Sequence, residues 1–206
     1  MGIRVRNVDK SGGRAGGLGI TLPVFIFNAA AVSTTGVKGA TTPVAGTDQS
    51  LSSLTALDAC RVLSITTANF SANTLIVKVW GTDFDGNGQY EESGVIKTST
   101  TTNLTMPFRT VATIKYDFTG TVTTRTLAIG TLDKFGIYKI GATGDVLESK
   151  KGHIDGNTTT TELTADAGTT TILEGGRGVY APAAAADGDL DYFLLVRSTY
   201  GDLKFS

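Results

Sequence analysis

TLIVKVWGT (residues 74–82), DFDGNG (83–88) and QYEESGVIK (89–97) follow one another near the middle of the chain. The outer runs are rich in β-branched and aromatic residues, whereas the inner segment is made mainly of Asp, Asn and Gly. Asn and Gly accept the positive backbone angles of a tight turn, so this pattern is typical of a β-hairpin. We therefore predict one strand at Thr74–Thr82 and a returning strand at Tyr90–Lys97.

The same pattern continues on both sides of the hairpin. Short runs of β-branched and aromatic residues are separated by Gly, Asn, Asp and Ser, which is typical of all-β sandwiches and barrels. We predict an all-β fold, a single β-sandwich that is jelly-roll-like or a related barrel. The other predicted strands are Leu22–Phe27, Arg61–Thr66, Thr110–Phe118, Thr121–Gly130, Phe135–Ile140, Thr169–Leu173 and Tyr192–Ser198.

Hydrophobic patterning predicts which strand faces are buried. Between residues 112 and 118, apolar side chains at even positions alternate with polar ones at odd positions, so we expect one face in water and one in the core. Residues 192–196 are apolar on both faces, which predicts a central strand or one covered by a subunit or loop. The most apolar segment, residues 20–32, is too short for a membrane helix and is interpreted as a buried strand.

Few segments resemble helices. Ser50–Leu57 has a helix-like pattern, and Pro182 followed by residues 183–186 could form one turn. Residues 141–161 are rich in Gly, Lys and Asp, and we interpret them as long exposed loops at one end of the sheet.

Residues 1–19 differ in composition from the rest of the chain. Five glycines follow one another closely, and the basic residues outnumber the single Asp9. Dense glycine makes backbone ordering costly, so we predict a flexible Gly-rich arm at 1–19 and a β-sandwich domain at 20–206. Such an arm either stays unordered or becomes ordered across a neighbouring subunit. The candidate partner-binding residues are Arg4, Arg6, Lys10 and Arg14.

Composition limits the classes of partner. The chain has 206 residues, a net charge of −1 and 34 threonines, with only 18% charged residues. A nearly neutral protein has no global field to attract nucleic acid or an anionic membrane, so we expect neither partner. No signal peptide is visible, and one cysteine allows no internal disulfide, which favours synthesis in the host cytoplasm.

The Asp83–Glu92 segment is the best candidate for a ligand loop. It resembles the start of an EF-hand calcium loop, with Asp, Asp, Asn and Gly at positions one, three, five and six. Position twelve, however, is Gly94 instead of a bidentate carboxylate. We therefore favour a plain hairpin turn, with calcium binding as the alternative.

No other group of residues forms a catalytic pattern. His153 and Asp155 lie in a Gly-rich loop without a Gly-x-Ser-x-Gly nucleophile signature. Cys60 has apolar neighbours and is interpreted as a buried structural thiol. We predict no catalytic residues, no metal site, no cofactor and no small-molecule substrate.

Four segments resemble the virion proteins of tailed bacteriophages. They are residues 77–88 (VKVWGTDFDGNG), Glu91-Glu92, residues 108–114 (FRTVATI) and residues 127–136 (LAIGTLDKFG), spread over about 60 residues. In those proteins a V-x-G-T-D-x-D-G-N…E hairpin leads through F-x-T-V-x-x-I to V-G-T-x-D-x-x-G. The resemblance implies a non-enzymatic β-protein of the particle, of the capsid decoration or cement type.

From this resemblance we expect a protein located in the virion that binds the major capsid protein and stabilises the head. Self-association as a homo-oligomer, for example a trimer, is part of this expectation. A phage tail or neck component has the same composition and is one alternative. Another is a carbohydrate-binding or adhesin module that stacks sugars on Trp80, Tyr90 or Tyr180, although strand periodicity favours a core or sheet-face role for Trp80.

Overall fold

A computed structural model describes residues 20–70, 73–120, 124–152 and 163–198. In these ranges the chain is all-β, as predicted, and is consistent with the sandwich and barrel class. The strands are β1 Ile20–Ile26, β2 Ser33–Thr41, β3 Gly46–Leu51, β4 Arg61–Ala68, β5 Thr74–Thr82, β6 Gly88–Glu92, β7 Thr100–Phe108, β8 Thr110–Thr119, β9 Thr126–Lys139, β10 Val146–Gly152, β11 Thr164–Ala165, β12 Thr169–Ile172, β13 Arg177–Ala181 and β14 Asp191–Ser198. Short 3-10 turns occur at Thr143–Asp145 and Glu174–Gly176.

The strands pair antiparallel and build three sheets. The β1 sheet has the order β1-β14-β10-β11, and the β5 sheet has the order β3-β8-β5-β6. The β9 sheet has the order β12-β13-β9-β4-β7, and β2 also pairs with β9. Strand β14 is central in its sheet, as its apolar sequence predicts.

The β9 and β5 sheets share the first hydrophobic core. Leu63 and Ile65 of β4 and Leu75 and Val77 of β5 are fully buried members of this cluster. Glu91 of β6 helps to close one edge, because its carboxylate accepts hydrogen bonds from the backbone N–H groups of Thr105 and Met106 at 2.7 and 2.9 Å.

The β1 sheet packs on the second half of β9 and forms the second core. Val24, Tyr192 and Leu194 of the β1 sheet lie in one buried cluster with Phe135 and Ile137 of β9. Leu127 and Ile129, in the first half of the same strand, belong to the first core. Strand β9 therefore runs through both cores.

The sequence suggests two strands where β9 is one. The expected break between Gly130 and Phe135 is a register shift: Leu63 and Arg61 are two residues apart on β4, but their partners Thr131 and Phe135 are four apart on β9. A bulge of this kind bends a strand without ending it. A similar shift on β8, between the partners of Trp80 and Gly81, leaves Ala112 exposed and breaks the predicted alternation at its first position.

The predicted loop at residues 141–161 is wrong for its described part, because β10 lies within it and pairs with β14. Residues 153–161, including His153 and Asp155, lie outside the described residues. Strands β2, β3, β7 and β13 also lack a predicted counterpart. Their patterns are weak: β2, for example, contains two glycines, and Val37 is its one fully buried residue.

Both helical predictions are wrong. Residues 50–51 end β3, and Ser53 has a positive φ of 56°, which a right-handed helix does not allow. Backbone groups that a helix would use internally bind elsewhere, such as the N–H of Thr55 to the carbonyl of Val37 at 2.8 Å. After Pro182, the N–H of Ala183 binds the Asp166 carboxylate, so no turn of helix forms.

Candidate functional site

Aromatic side chains are exposed on the outer face of the β1 sheet. Phe25 and Phe27 are 46% and 54% exposed, and their rings stack with centroids 5.8 Å apart and planes within 6°. Phe193 of β14 lies 5.2 Å from Phe25. Strand alternation explains the placement, because Val24 and Ile26 are buried in the second core and the residues between them point outward. We call Phe25, Phe27 and Phe193 the aromatic face.

An open cleft of about 670 Å³ adjoins the aromatic face. Phe25 and Phe27 line it together with Phe84 and Tyr138, whose rings meet edge to face at 4.8 Å. Arg109, also in the lining, donates a hydrogen bond to the Phe84 carbonyl at 3.2 Å. Asp58 and Asp85 are the acidic members of the lining. Aromatic walls with charges of both signs suit the insertion of a protein side chain.

The buried Arg61 holds the backbone beside the cleft in place. Its guanidinium donates to the carbonyl of Ala30 and to the hydroxyl of Thr131, and its Nε lies 3.3 Å from Oδ1 of Asp58. The second oxygen of Asp58 accepts the N–H of Ala30 at 2.7 Å. Asp133 lies 3.8 Å away on the other side of the guanidinium. The connection after β1 is thus tied to β4 and β9 by one side chain.

Burial changes the protonation of two groups near this brace. It raises the pKa of Asp133, an effect opposed by the Ala186 N–H and the Arg61 charge. It also raises the pKa of the Cys60 thiol to about 12, so that the thiol stays protonated at neutral pH. The prediction of a buried structural cysteine is confirmed.

The Asp83–Glu92 segment folds as the predicted hairpin turn. Asp83 is 3% exposed, and its Oδ1 accepts the N–H groups of Asp85 and Asn87 at 3.0 and 2.9 Å. Its Oδ2 lies 3.6 Å from Nε of Arg177. The first carboxylate of the supposed calcium loop is therefore occupied by the turn and by an arginine from β13.

The other residues singled out in the sequence have different outcomes. Arg4, Arg6, Lys10 and Arg14, the predicted partner-binding residues, lie outside the described residues, so their role stays a prediction. Trp80 and Tyr90 come together on the outer face of the β5 sheet, with ring centroids 4.9 Å apart. Tyr180 is 1% exposed and donates a hydrogen bond to Asp166, so its prediction as a stacking platform is wrong.

The aromatic face has no counterpart among the sites predicted from the sequence. The prediction of a buried strand in residues 20–32 is correct for Val24 and Ile26 but wrong for Phe25 and Phe27. A signal is present, since both β1 and β14 are apolar at successive positions. A strand that is apolar on both faces needs a cover on both, and here one face lacks a cover among the described residues.

Two other kinds of site are absent from the described ranges. There, no three His, Cys, Asp or Glu side chains are grouped closely enough to hold a metal ion. No helix in those ranges has the length and apolar character needed to cross a membrane.

Comparison with known proteins adds no relative. No protein-family model matches the chain, and neither a curated protein nor a solved structure is significantly similar to it. What can be said of its function therefore depends on its own residues and their geometry.

Proposed function

We propose that this chain is a non-enzymatic structural protein of a tailed bacteriophage, a decoration or cement protein that binds the major capsid protein and stabilises the head. The observation that carries the proposal is the aromatic face of the β1 sheet with its adjoining cleft. The resemblance of residues 77–136 to phage virion proteins supplies the class of partner.

The aromatic face has the chemistry of a protein contact. Phe25 and Phe27 present two stacked rings to solvent, and aromatic side chains are enriched at the centres of protein interfaces. Leaving them in water costs the free energy that burial would recover, about 25 cal/mol per Å² of apolar surface. A partner that covers them therefore gains affinity without a large charged surface, in keeping with a net charge of −1.

A decoration protein also gains from repetition. The capsid lattice offers the same contact many times, and several weak contacts made together bind much more tightly than one. Self-association, for example as a trimer, would join several aromatic faces in one binding unit. In this proposal the protein is made in the host cytoplasm and resides in the virion.

The basic arm supplies a second contact. Arg4, Arg6, Lys10 and Arg14 directly precede β1 in the sequence, the strand that carries Phe25 and leads into Phe27. Acidic ground on a neighbouring capsid subunit would pair with them at a short distance from the aromatic face. Binding through the arm would weaken as salt increases, whereas binding through the aromatic face would not.

The test is co-sedimentation with purified tailless heads of the phage that encodes the chain. Phe25→Asp/Phe27→Asp should reduce the bound fraction at least about tenfold, since charges placed in an apolar contact cost more than about 1.4 kcal/mol. Val95→Asp is the matched control, because Val95 is also 54% exposed but follows β6. It should bind like the unmodified protein.

Two results would contradict the proposal. One is equal binding of the double variant and the control. The other is labelled protein found by electron microscopy on a tail or neck ring instead of on the capsid lattice, which would favour the tail component.

A further inference from the structure

A second exposed aromatic group lies on the outer face of the β5 sheet. Trp80 of β5 and Tyr90 of β6 are directly opposite each other in the strand register. Their ring centroids are 4.9 Å apart, and the ring planes are inclined by 38°. Trp80 is half-buried and Tyr90 is 44% exposed, so the two rings form one continuous surface that is open to solvent.

This exposure contrasts with the other aromatic residues around the β5 sheet. Phe70, Tyr116 and Phe118 are at most 4% exposed and belong to the first core. The cross-strand contact between Trp80 and Tyr90 stabilises the hairpin, but such a pair contributes only about 0.2–1 kcal/mol and does not require a half-exposed tyrosine. Folding alone therefore does not account for this pair on an outer sheet face.

Polar groups surround the two rings. The Tyr90 hydroxyl donates a hydrogen bond to Oε2 of Glu92 at 2.7 Å. The ammonium group of Lys115 lies 6.0 Å from the centroid of the Trp80 ring. Lys78, on the same strand face as Trp80, is paired with Asp117 at 2.7 Å. Donors and acceptors thus flank an apolar surface.

We propose that Trp80 and Tyr90 form a binding site for carbohydrate, specifically an oligosaccharide of two or more sugar units. The C–H face of a sugar ring is apolar and packs on an aromatic ring, while its hydroxyl groups at the rim need donors and acceptors. Glu92 supplies acceptors and Lys115 supplies donors. The inclination between the rings matches consecutive sugar units whose faces are not coplanar. This site is separate from the aromatic face and does not depend on the capsid role.

Trp80 is the single tryptophan of the chain, so its fluorescence reports directly on the site. The experiment titrates the full-length protein with four soluble polysaccharides: laminarin, galactomannan, xylan and dextran. Affinity electrophoresis in gels containing each polysaccharide provides the second readout. We expect at least one of the four to change the emission of Trp80 and to retard the protein.

Three variants locate the binding. Tyr90→Ala should weaken it by about tenfold, since one of two stacking contacts is removed. Tyr90→Phe keeps the ring and loses only the hydroxyl, so it should bind within about twofold of the unmodified protein. Phe27→Ala, on the aromatic face, should bind normally. A circular dichroism spectrum and melting temperature for each variant establish that it is folded.

The proposal is overturned if none of the four polysaccharides is bound, or if Tyr90→Ala binds as well as Tyr90→Phe. Retention that Phe27→Ala abolishes and Tyr90→Ala leaves intact would also overturn it, since the sugar would then lie on the aromatic face. None of these results bears on sedimentation with heads, so the two proposals fail separately.

Discussion

The β5 sheet and the β1 sheet each bury one face in a core, but their outer faces differ in kind. The outer face of the β5 sheet is ordered by charge, with Lys78 held between Asp48 and Asp117 at 3.1 and 2.7 Å. The outer face of the β1 sheet presents the stacked rings of Phe25 and Phe27. A sheet that is polar outside is complete in water, whereas one that is aromatic outside exposes apolar surface that a partner can cover.

The difference also separates two kinds of sequence signal. Alternation in β5 and β8 distinguishes an inner from an outer face by the order of the residues alone. In β1 and β14 the apolar residues follow one another, and this pattern is the same for a strand covered twice and for one that awaits a partner. The exposure of Phe25 and Phe27 distinguishes the two cases.

Removing Arg61 should have the largest effect and should act first on the β1 side. Arg61→Leu leaves the Asp133 carboxylate beside an apolar side chain and breaks the bond to Ala30, so we expect a loss of about 3–5 kcal/mol in the free energy of unfolding. Chemical denaturation measures it. Hydrogen exchange should increase in β1 more than in β5. The exposed Arg109→Leu should change stability by less than about 0.5 kcal/mol, and an equal loss in both variants would contradict a bracing role.

Matched core truncations compare the two inner faces. Leu75 in the first core and Leu194 in the second are both 0% exposed. Changing either one to Ala should cost about 2–5 kcal/mol, because each change leaves a cavity in a packed core. Both cores share β9, so calorimetry should show one lowered transition in each variant. Two separate transitions would mean that the cores unfold independently.

Two carboxylates should respond to pH in opposite directions. The pKa of Asp117 is lowered by the backbone N–H of Asp48 and by Lys78, so its contribution to stability is present above its ordinary pKa of 3.8 and is lost as pH falls through the lowered value. Burial raises the pKa of Asp133, so its contribution is present below 3.8 and is lost as pH rises through the raised value.

Urea denaturation between about pH 2.5 and pH 7 measures both effects. Relative to the unmodified protein, Asp117→Asn should lose less stability on acidification, and Asp133→Asn should lose less on going from acid towards neutral pH. The same pH profile for both variants would contradict the opposite signs.

The smallest effect on stability is expected at the aromatic face. Phe27→Ser removes an exposed ring, so the free energy of unfolding should change by less than about 0.5 kcal/mol. Self-association at high protein concentration, measured by sedimentation velocity, should decrease because less apolar surface remains exposed. A large loss of stability would instead indicate that the ring packs against the protein itself.

The fold class and the central hairpin are predictable from the sequence because both depend on local chemistry: alternation in β5 and turn residues after Thr82. Strands β2 and β10 are not, since glycines and charges obscure their pattern and long-range pairing with β9 and β14 makes them strands. The Trp80–Tyr90 pair is partly predictable, because the two residues flank the same turn. The aromatic face is not, because exposure depends on what covers a sheet, and no local pattern encodes a missing cover.

A mechanical load applied to the β1 sheet would be transmitted along β9. This strand of 14 residues is held by β4 from Ala68 opposite Thr126 to Arg61 opposite Phe135. Pulling along such a ladder shears many hydrogen bonds at once instead of unzipping them one by one. A protein fastened to a shell under internal pressure would in this way resist tension with its whole body.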